Sequence, residues 1–242
     1  LARDLGVHTG VSLGVALQQQ NSYKLLSLWQ AITGFGSDEA LKRELEKLID
    51  AIDTSFIVLE AGTSEFTSTD PESTIKWLNQ ADEIARKHHR ALFTKVHVSS
   101  NQQNEKWGNY NFLPSFASKS VGVLPHTVMF YGLLDPKAPM YGNKDFHGIR
   151  QFMEKESKQR PAWYYPETGY WVAMDADIPL LLTDYLRTRA EDLKWLFENK
   201  MDGQLIFSTG HGVGGWLYDW TQALLIDEEL QFDPYVGLTL LG

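Results

Sequence analysis

Short apolar runs alternate with stretches of helical periodicity along this chain, and that alternation constrains the fold more than any other feature. The apolar runs are Val7–Leu17, Phe56–Leu59, Leu92–Val98, Val121–Tyr131, Ala162–Tyr165 and Gln204–Phe207. Between the first two, Asp38–Asp53 sets Leu41, Leu45, Leu48, Ile49 and Ile52 on one helical stripe, with Ser37 as the expected N-cap. Asp70-Pro71 places a capping acid and a helix-opening proline before Ile75, Leu78, Ala81 and Ile84. Further helices are expected over Asp145–Glu156, after Pro179 through Leu181, Leu182, Leu186, Leu193 and Leu196, and near Leu217–Leu225. Strands and helices in this alternation predict an α/β protein with a parallel sheet.

Six such units fit either an open doubly wound sheet or most of a (β/α)8 barrel of the TIM type. Polar residues decide for the barrel. Nearly every run delivers side chains of catalytic or ligand-binding type just past its C-terminal end, where barrel enzymes place their sites. A doubly wound sheet would gather them at one switch point. Six strands cannot close such a barrel, and an open one leaves two unpaired edges. The opening Leu1–Gly6 reads as the last turn of a helix closed by glycine, so the expectation is that the first barrel strands are missing from the amino end. No repeat, linker or low-complexity tract interrupts the chain, and residues 1–242 are expected to form one domain.

The 242 residues are 43% hydrophobic and 22% charged, which suits a single large core. Lys and Arg total 22 against 31 Asp and Glu, a net charge of -9 that disfavours nucleic acid or an anionic membrane surface as partner. No apolar run reaches the roughly 20 residues that a membrane span requires. Cysteine is absent, so disulfides, thiolate metal sites and cysteine nucleophiles are excluded. That absence fits a reducing or an extracytoplasmic setting, and secreted or periplasmic is the expectation. A monomer that needs no cofactor is expected.

The richest stretch for chemistry is Arg160-Pro-Ala-Trp-Tyr-Tyr-Pro-Glu-Thr-Gly-Tyr-Trp171. A strand here ends on one carboxylate, Glu167, with Trp163, Tyr164, Tyr165, Tyr170 and Trp171 around it in sequence. Aromatic faces stack on sugar rings, and a carboxylate among them can attack or protonate a glycosidic centre. The Phe56–Leu59 run leads into Glu60-Ala-Gly-Thr-Ser-Glu65, so Glu65, or second to it Glu60, reaches the same rim three strands away. Two facing carboxylates are the minimum machinery of glycoside hydrolysis, at about 5 Å for retention and roughly 6.5–9.5 Å for inversion.

Ser64-Glu65 after one strand, Glu167-Thr-Gly three strands later and Gly214-Gly-Trp216 after the next together resemble clan-A retaining glycoside hydrolases. The resemblance implies Glu65 as acid/base, Glu167 as nucleophile and Trp216 as a sugar platform. It further implies that the first strand here is the third of the barrel. The clan's usual Asn before the acid/base is Ser64 in this chain. Pro125-His-Thr-Val-Met-Phe-Tyr131 and Pro-Glu-Thr-Gly-Tyr-Trp171 also resemble an uncharacterised bacterial family. That family carries Trp-Glu-Trp where this chain has His211-Gly-Val213. A catalytic role for its Glu would make this chain a non-catalytic, carbohydrate-binding relative. In the hydrolase reading His97, His126, Tyr131, Tyr170, Trp171, His211 and Trp216 contact a carbohydrate substrate.

Other constellations carry less. His8, His97, His126 and His211 fall in or after four different runs, with Lys95 and Asp135 near in sequence, which would suit a zinc-dependent hydrolase. The His-x-His pair of metal-dependent amidohydrolase barrels is missing, however. His97 shares its strand face with Lys95 and Ser99, a polar set that fits a pocket. Gly210-His-Gly-Val-Gly-Gly215 matches a dinucleotide-binding loop, yet no second strand ending in an acid follows about 20 residues on. A glycine loop over a sugar cleft is the better reading. The segment Asn101–Tyr110 mixes amides with Trp107 and Tyr110 and is expected to be a cleft-shaping or solvated loop.

Overall fold

The computed structural model describes residues 8–15, 23–61, 70–98, 103–129, 131–167, 183–206 and 215–226. Contacts divide the chain into two compact units, Leu1–Leu124 with Lys158–Pro161, and Pro125–Ser157 with Ala162–Gly242.

In the first unit β1 (Gly10–Gly14), β2 (Phe56–Glu60) and β3 (Ala91–Val96) run parallel, and the start of β6 (Gly122–Thr127) lies next to β3. Alternation along these strands sorts their residues cleanly. Leu13, Val15, Ile57, Leu59, Ala61 and Leu92 are buried on one face. They pack in one cluster with Leu41, Leu45, Leu48 and Ile49 of α2 (Ser37–Ala51) and with Trp77, Leu78, Ala81 and Ile84 of α3 (Pro71–Lys87). The apolar stripes expected for those two helices thus cover the sheet, except that Ile52 caps the end of α2 and is exposed.

The opposite parity carries Gly10, Phe56, Glu60, Phe93, Lys95 and His97. Phe56 and Phe93 meet edge to face at 6.1 Å. A Cβ at Gly10 would stand 2.2 Å from the Phe56 ring, and one at Gly122 would stand 2.3 Å from that of Phe93. The two rings fill this layer only because their neighbours across the sheet are glycines.

Local signals account for most boundaries. Asp70 accepts the Ser73 amide at 2.8 Å and Pro71 opens α3, as expected. The cap of α2 is a correction: Gly36, at φ 63, precedes the helix, and Ser37 is its first, buried residue. A short helix unforeseen from periodicity, α1 (Leu28–Thr33), is closed at its start by a Ser27–Gln30 capping box and at its end by Gly34. The polar segment after β3 also holds more structure than expected. Asn104 Oδ1 accepts the Lys106 and Trp107 amides, closing a hairpin of β4 (Gln103–Asn104) and β5 (Gly108–Asn109). A 3-10 helix, Tyr110–Phe116, follows, and Trp107 packs edge-on against Phe116.

In the second unit the end of β6 pairs with β7 (Trp163–Pro166), and β7 with β8 (Gly203–Gln204), all parallel. Its helices are α4 (His147–Glu156), α5 (Thr183–Glu198) and α6 (Gly215–Ile226). The run expected to continue to Tyr131 stops at Thr127, because Met129 takes a left-handed conformation, φ 59. Pro179 and Phe207 lie outside the described residues. The neighbour order is β1-β2-β3-β6 and then β6-β7-β8, so apart from the hairpin each strand lies beside the one before it in the chain. No switch point interrupts that order among the described strands, which is barrel winding and not a doubly wound sheet. Among the described residues no helix is long and apolar enough to cross a membrane.

Candidate functional site

Glu167 follows β7 directly and is only 7% exposed. A carboxylate so placed needs partners. Its Oε2 accepts the Met129 amide at 2.5 Å, and its Oε1 lies 3.5 Å from His126 Nε2. The backbone is tied as well: its amide donates to the Thr127 carbonyl at 3.4 Å, and its carbonyl accepts the Tyr185 hydroxyl.

His126 sits one strand over, in register with Tyr165 and 2% exposed. Its Nδ1 lies 2.8 Å from the Tyr165 carbonyl oxygen. A carbonyl only accepts, so Nδ1 carries the proton there. A neutral ring would then turn the lone pair of Nε2 toward Oε1 of Glu167. The pair is complementary only when it holds one further proton, as imidazolium beside carboxylate or as imidazole beside carboxylic acid. The His126 ring also lies tilted against Tyr165 at 4.9 Å.

The donor to Glu167 is itself unusual. A non-glycine residue in the left-handed region costs about 1–2 kcal/mol, so the conformation of Met129 must be imposed by its surroundings. Beneath it lies a fully buried polar network. Thr127 Oγ1 lies 2.7 Å from the Tyr164 hydroxyl, which donates to Asp192 Oδ2 at 3.0 Å. Arg189 Nη1 is 2.7 Å from the same hydroxyl and 3.1 Å from Asp192 Oδ2. Two contacts reach the loop after β6: Asp192 Oδ1 accepts the Leu133 amide at 2.8 Å, and Arg189 Nη2 donates to the Tyr131 carbonyl. Asp135 Oδ2 accepts the Gly132 amide at 2.7 Å and tightens the same turn.

Burial dominates the electrostatics. It raises the Tyr164 and Tyr185 hydroxyls above the ordinary tyrosine range, so both are donors and not phenolates. It also raises Asp192, against the pull of Arg189, the Leu133 amide and the Tyr164 hydroxyl. Burial acts to lower Arg189, but its neighbours, the hydroxyl oxygen of Tyr164 and the Asp192 carboxylate among them, outweigh it and hold the guanidinium charged. The Arg189 guanidinium also lies over the Tyr185 ring, 5.0 Å from its centroid.

Of the residues expected from sequence, the structure therefore brings Glu167 and His126 together. Tyr131 lies in the loop that follows β6, where its carbonyl accepts from Arg189. His97 is buried just past β3 in the first unit, where Glu60 ends β2. Glu65, Tyr170, Trp171 and His211 lie outside the described residues, and Trp216 falls in the first turn of α6. Met129 and Tyr185 bond Glu167, and Arg189 and Asp192 bond the loop beside it; sequence reasoning missed all four. Arg189 and Asp192 did leave a signal, since they interrupt an otherwise apolar stripe of Tyr185, Leu186, Leu193 and Leu196 on α5. Among the described residues no group of three or more His, Cys, Asp or Glu is placed to hold a metal ion.

No family model matches the sequence, and no curated protein matches it either. Solved structures do match. A chitinase from Chromobacterium violaceum ATCC 12472 superposes with a TM-score of 0.58 over 92% of this chain and 82% of its own, at 11% identity. A family 18 chitinase from Crocus vernus gives 0.57 over 93% of this chain and 74% of its own, at 14% identity. The spore cortex-lytic enzyme SleL of Bacillus megaterium QM B1551 gives 0.54 over 93% of this chain, which spans 60% of SleL, at 12% identity.

The chain has an α/β TIM-type fold. In a TIM-type fold the functional end is the one at the C-termini of the strands. Glu167 and His126 stand at that end of β7 and β6, and the Met129 loop leaves from it. In the first unit the Gly10–Phe56 and Phe93–Gly122 packing lies in the N-terminal halves of its strands and belongs to the core.

Proposed function

We propose that this chain is a glycoside hydrolase acting on an oligo- or polysaccharide, with Glu167 as the attacking carboxylate. The observation that carries the reading is the hold on Glu167: a buried carboxylate at a strand's C-terminal end, oriented by a backbone amide and faced by an imidazole. Its fold neighbours, two chitinases and a spore cortex-lytic enzyme, support the reading as analogy, since one fold serves many chemistries.

In the proposed double displacement, Glu167 bonds to the anomeric carbon while an acid protonates the departing glycosidic oxygen. Glu65 is the proposed acid. Water, deprotonated by the same Glu65, then breaks the glycosyl–enzyme ester, and the anomeric configuration is retained. The Met129 amide and His126 draw charge from the carboxylate at rest and receive it back as the ester breaks. His97, Tyr131, Tyr170, Trp171, His211 and Trp216 are proposed to contact the sugar. The chain is proposed to act as one domain and as a monomer, which size-exclusion chromatography with light scattering checks.

The decisive experiment is a screen of soluble and insoluble glycans with the protein and its Glu167→Gln variant. Proton NMR follows the anomer that appears first. Turnover with retention that the variant abolishes is the expected outcome, and inversion would rule out Glu167 as nucleophile.

A second reading, a non-catalytic carbohydrate-binding barrel, is favoured by His211-Gly-Val213 standing where the similar bacterial family carries Trp-Glu-Trp. It predicts glycan binding with no turnover before or after the substitution.

A further inference from the structure

Met129 links the carboxylate to the buried network. Its amide holds Glu167, yet its left-handed backbone is not one that methionine adopts unaided. The chain on either side is anchored by α5 and β7. Before it, Thr127 bonds the Tyr164 hydroxyl; after it, the Tyr131 carbonyl and Leu133 amide are held by Arg189 and Asp192. Tyr164 joins both anchors, since its hydroxyl meets Thr127, Arg189 and Asp192 together. Thr127, Leu133, Tyr164, Arg189 and Asp192 are buried, and Tyr131 is half-buried.

We propose that Tyr164, Arg189 and Asp192 are positioning residues that hold the loop after β6 in the conformation whose Met129 amide donates to Glu167. For its catalytic consequence the proposal rests on the reading of Glu167 as the reacting carboxylate. Its structural content does not. A charged pair buried on an apolar helix stripe is costly to keep for packing alone, and hydrophobic replacements of such pairs are often no less stable. Here the pair meets two backbone groups of one loop, and that loop carries the amide on which Glu167 depends. Displacing a donor from a reacting carboxylate lowers turnover without changing how the rest of the sugar binds.

The chain has five methionines, so selective 15N-methionine labelling gives a spectrum simple enough to follow one amide. Met129→Leu identifies the Met129 peak by its loss. In the unsubstituted protein that peak is expected far downfield and slow to exchange, and Glu167→Gln should move it upfield. The test variants are Tyr164→Phe, which keeps the ring, and Asp192→Asn, which keeps an acceptor for Leu133. In both, the Met129 peak should shift upfield and exchange about tenfold faster or more, with the other four methionine amides unchanged. Turnover should fall by about tenfold to a hundredfold at unaltered KM.

A Met129 peak that stays put in both variants overturns the proposal. So does a general change in which all five peaks move together, since that is loosening and not positioning. If no glycan is cut by the unsubstituted protein but the Met129 peak responds as expected, the positioning role stands and the hydrolase reading falls.

Discussion

In the proposed reaction Glu167 carries the attack on the sugar. Removing its charge with Glu167→Gln is expected to lower glycan turnover by roughly 10³-fold while leaving the fold intact, measured as initial rate against thermal midpoint. An equal loss of rate and folded fraction would show a packing defect instead. His126 is expected to carry a proton on Nδ1 at neutral pH, because the atom facing it is a carbonyl oxygen. Long-range 15N–1H spectra of histidine-labelled protein check this, and an Nε2-only tautomer would refute it. Both side chains were legible in the sequence, Glu167 as a carboxylate ending one apolar run and His126 as a polar residue inside another. Met129 was not. What it contributes is a backbone amide aimed by a positive φ, and neither has a side-chain signature.

At the scale of elements, α5 is a helix with a polar centre in its apolar face. Arg189 and Asp192 are each 1% exposed and 3.1 Å apart. Removing one partner, as in Arg189→Met or Asp192→Leu, is expected to cost about 3–5 kcal/mol in urea unfolding. The double variant should cost well under the sum of the two, and simple additivity would deny the coupling. Periodicity displayed the stripe in advance, yet a charge on a helix is usually solvated, so the pair's burial was beyond one-dimensional reading. The strands carry a matching constraint. Gly122→Ala pushes a methyl into the Phe93 ring and is expected to destabilise by about 1–3 kcal/mol, part of it recovered by Phe93→Leu. The Ser27–Gln30 box of α1 was readable too, but that helix buries none of its residues, and without a buried stripe periodicity had nothing to detect.

At the scale of the molecule, the buried tyrosines set an upper limit on pH. Burial raises Tyr164 and Tyr185 above the ordinary value of 10.0. The unfolded chain therefore releases protons above about pH 10 that the folded chain retains, and each tyrosine then lowers stability by about 1.4 kcal/mol per pH unit. Their contribution is intact below that point and is lost as pH climbs toward the folded values. The last part of the tyrosinate absorbance should rise together with unfolding, and ionisation of all ten tyrosines before unfolding would contradict the assignment. The α/β class and the barrel winding were visible in the alternation of runs and stripes, because connections between parallel strands obey few rules.

The order of the strands also bears on how the chain is made. A ribosome delivers the amino end first, at roughly 5–20 residues per second. β2 then emerges to find β1 waiting, β3 finds β2, and β6 finds β3, with only the small hairpin between them. Among the described strands none has to be inserted between two already joined, so the growing sheet offers one edge to its own next segment. Nascent chains stalled beyond residue 127 should already protect β2, α3 and β3 from protease. Outside the hairpin, the template for each described strand after β1 is the sheet strand synthesised before it.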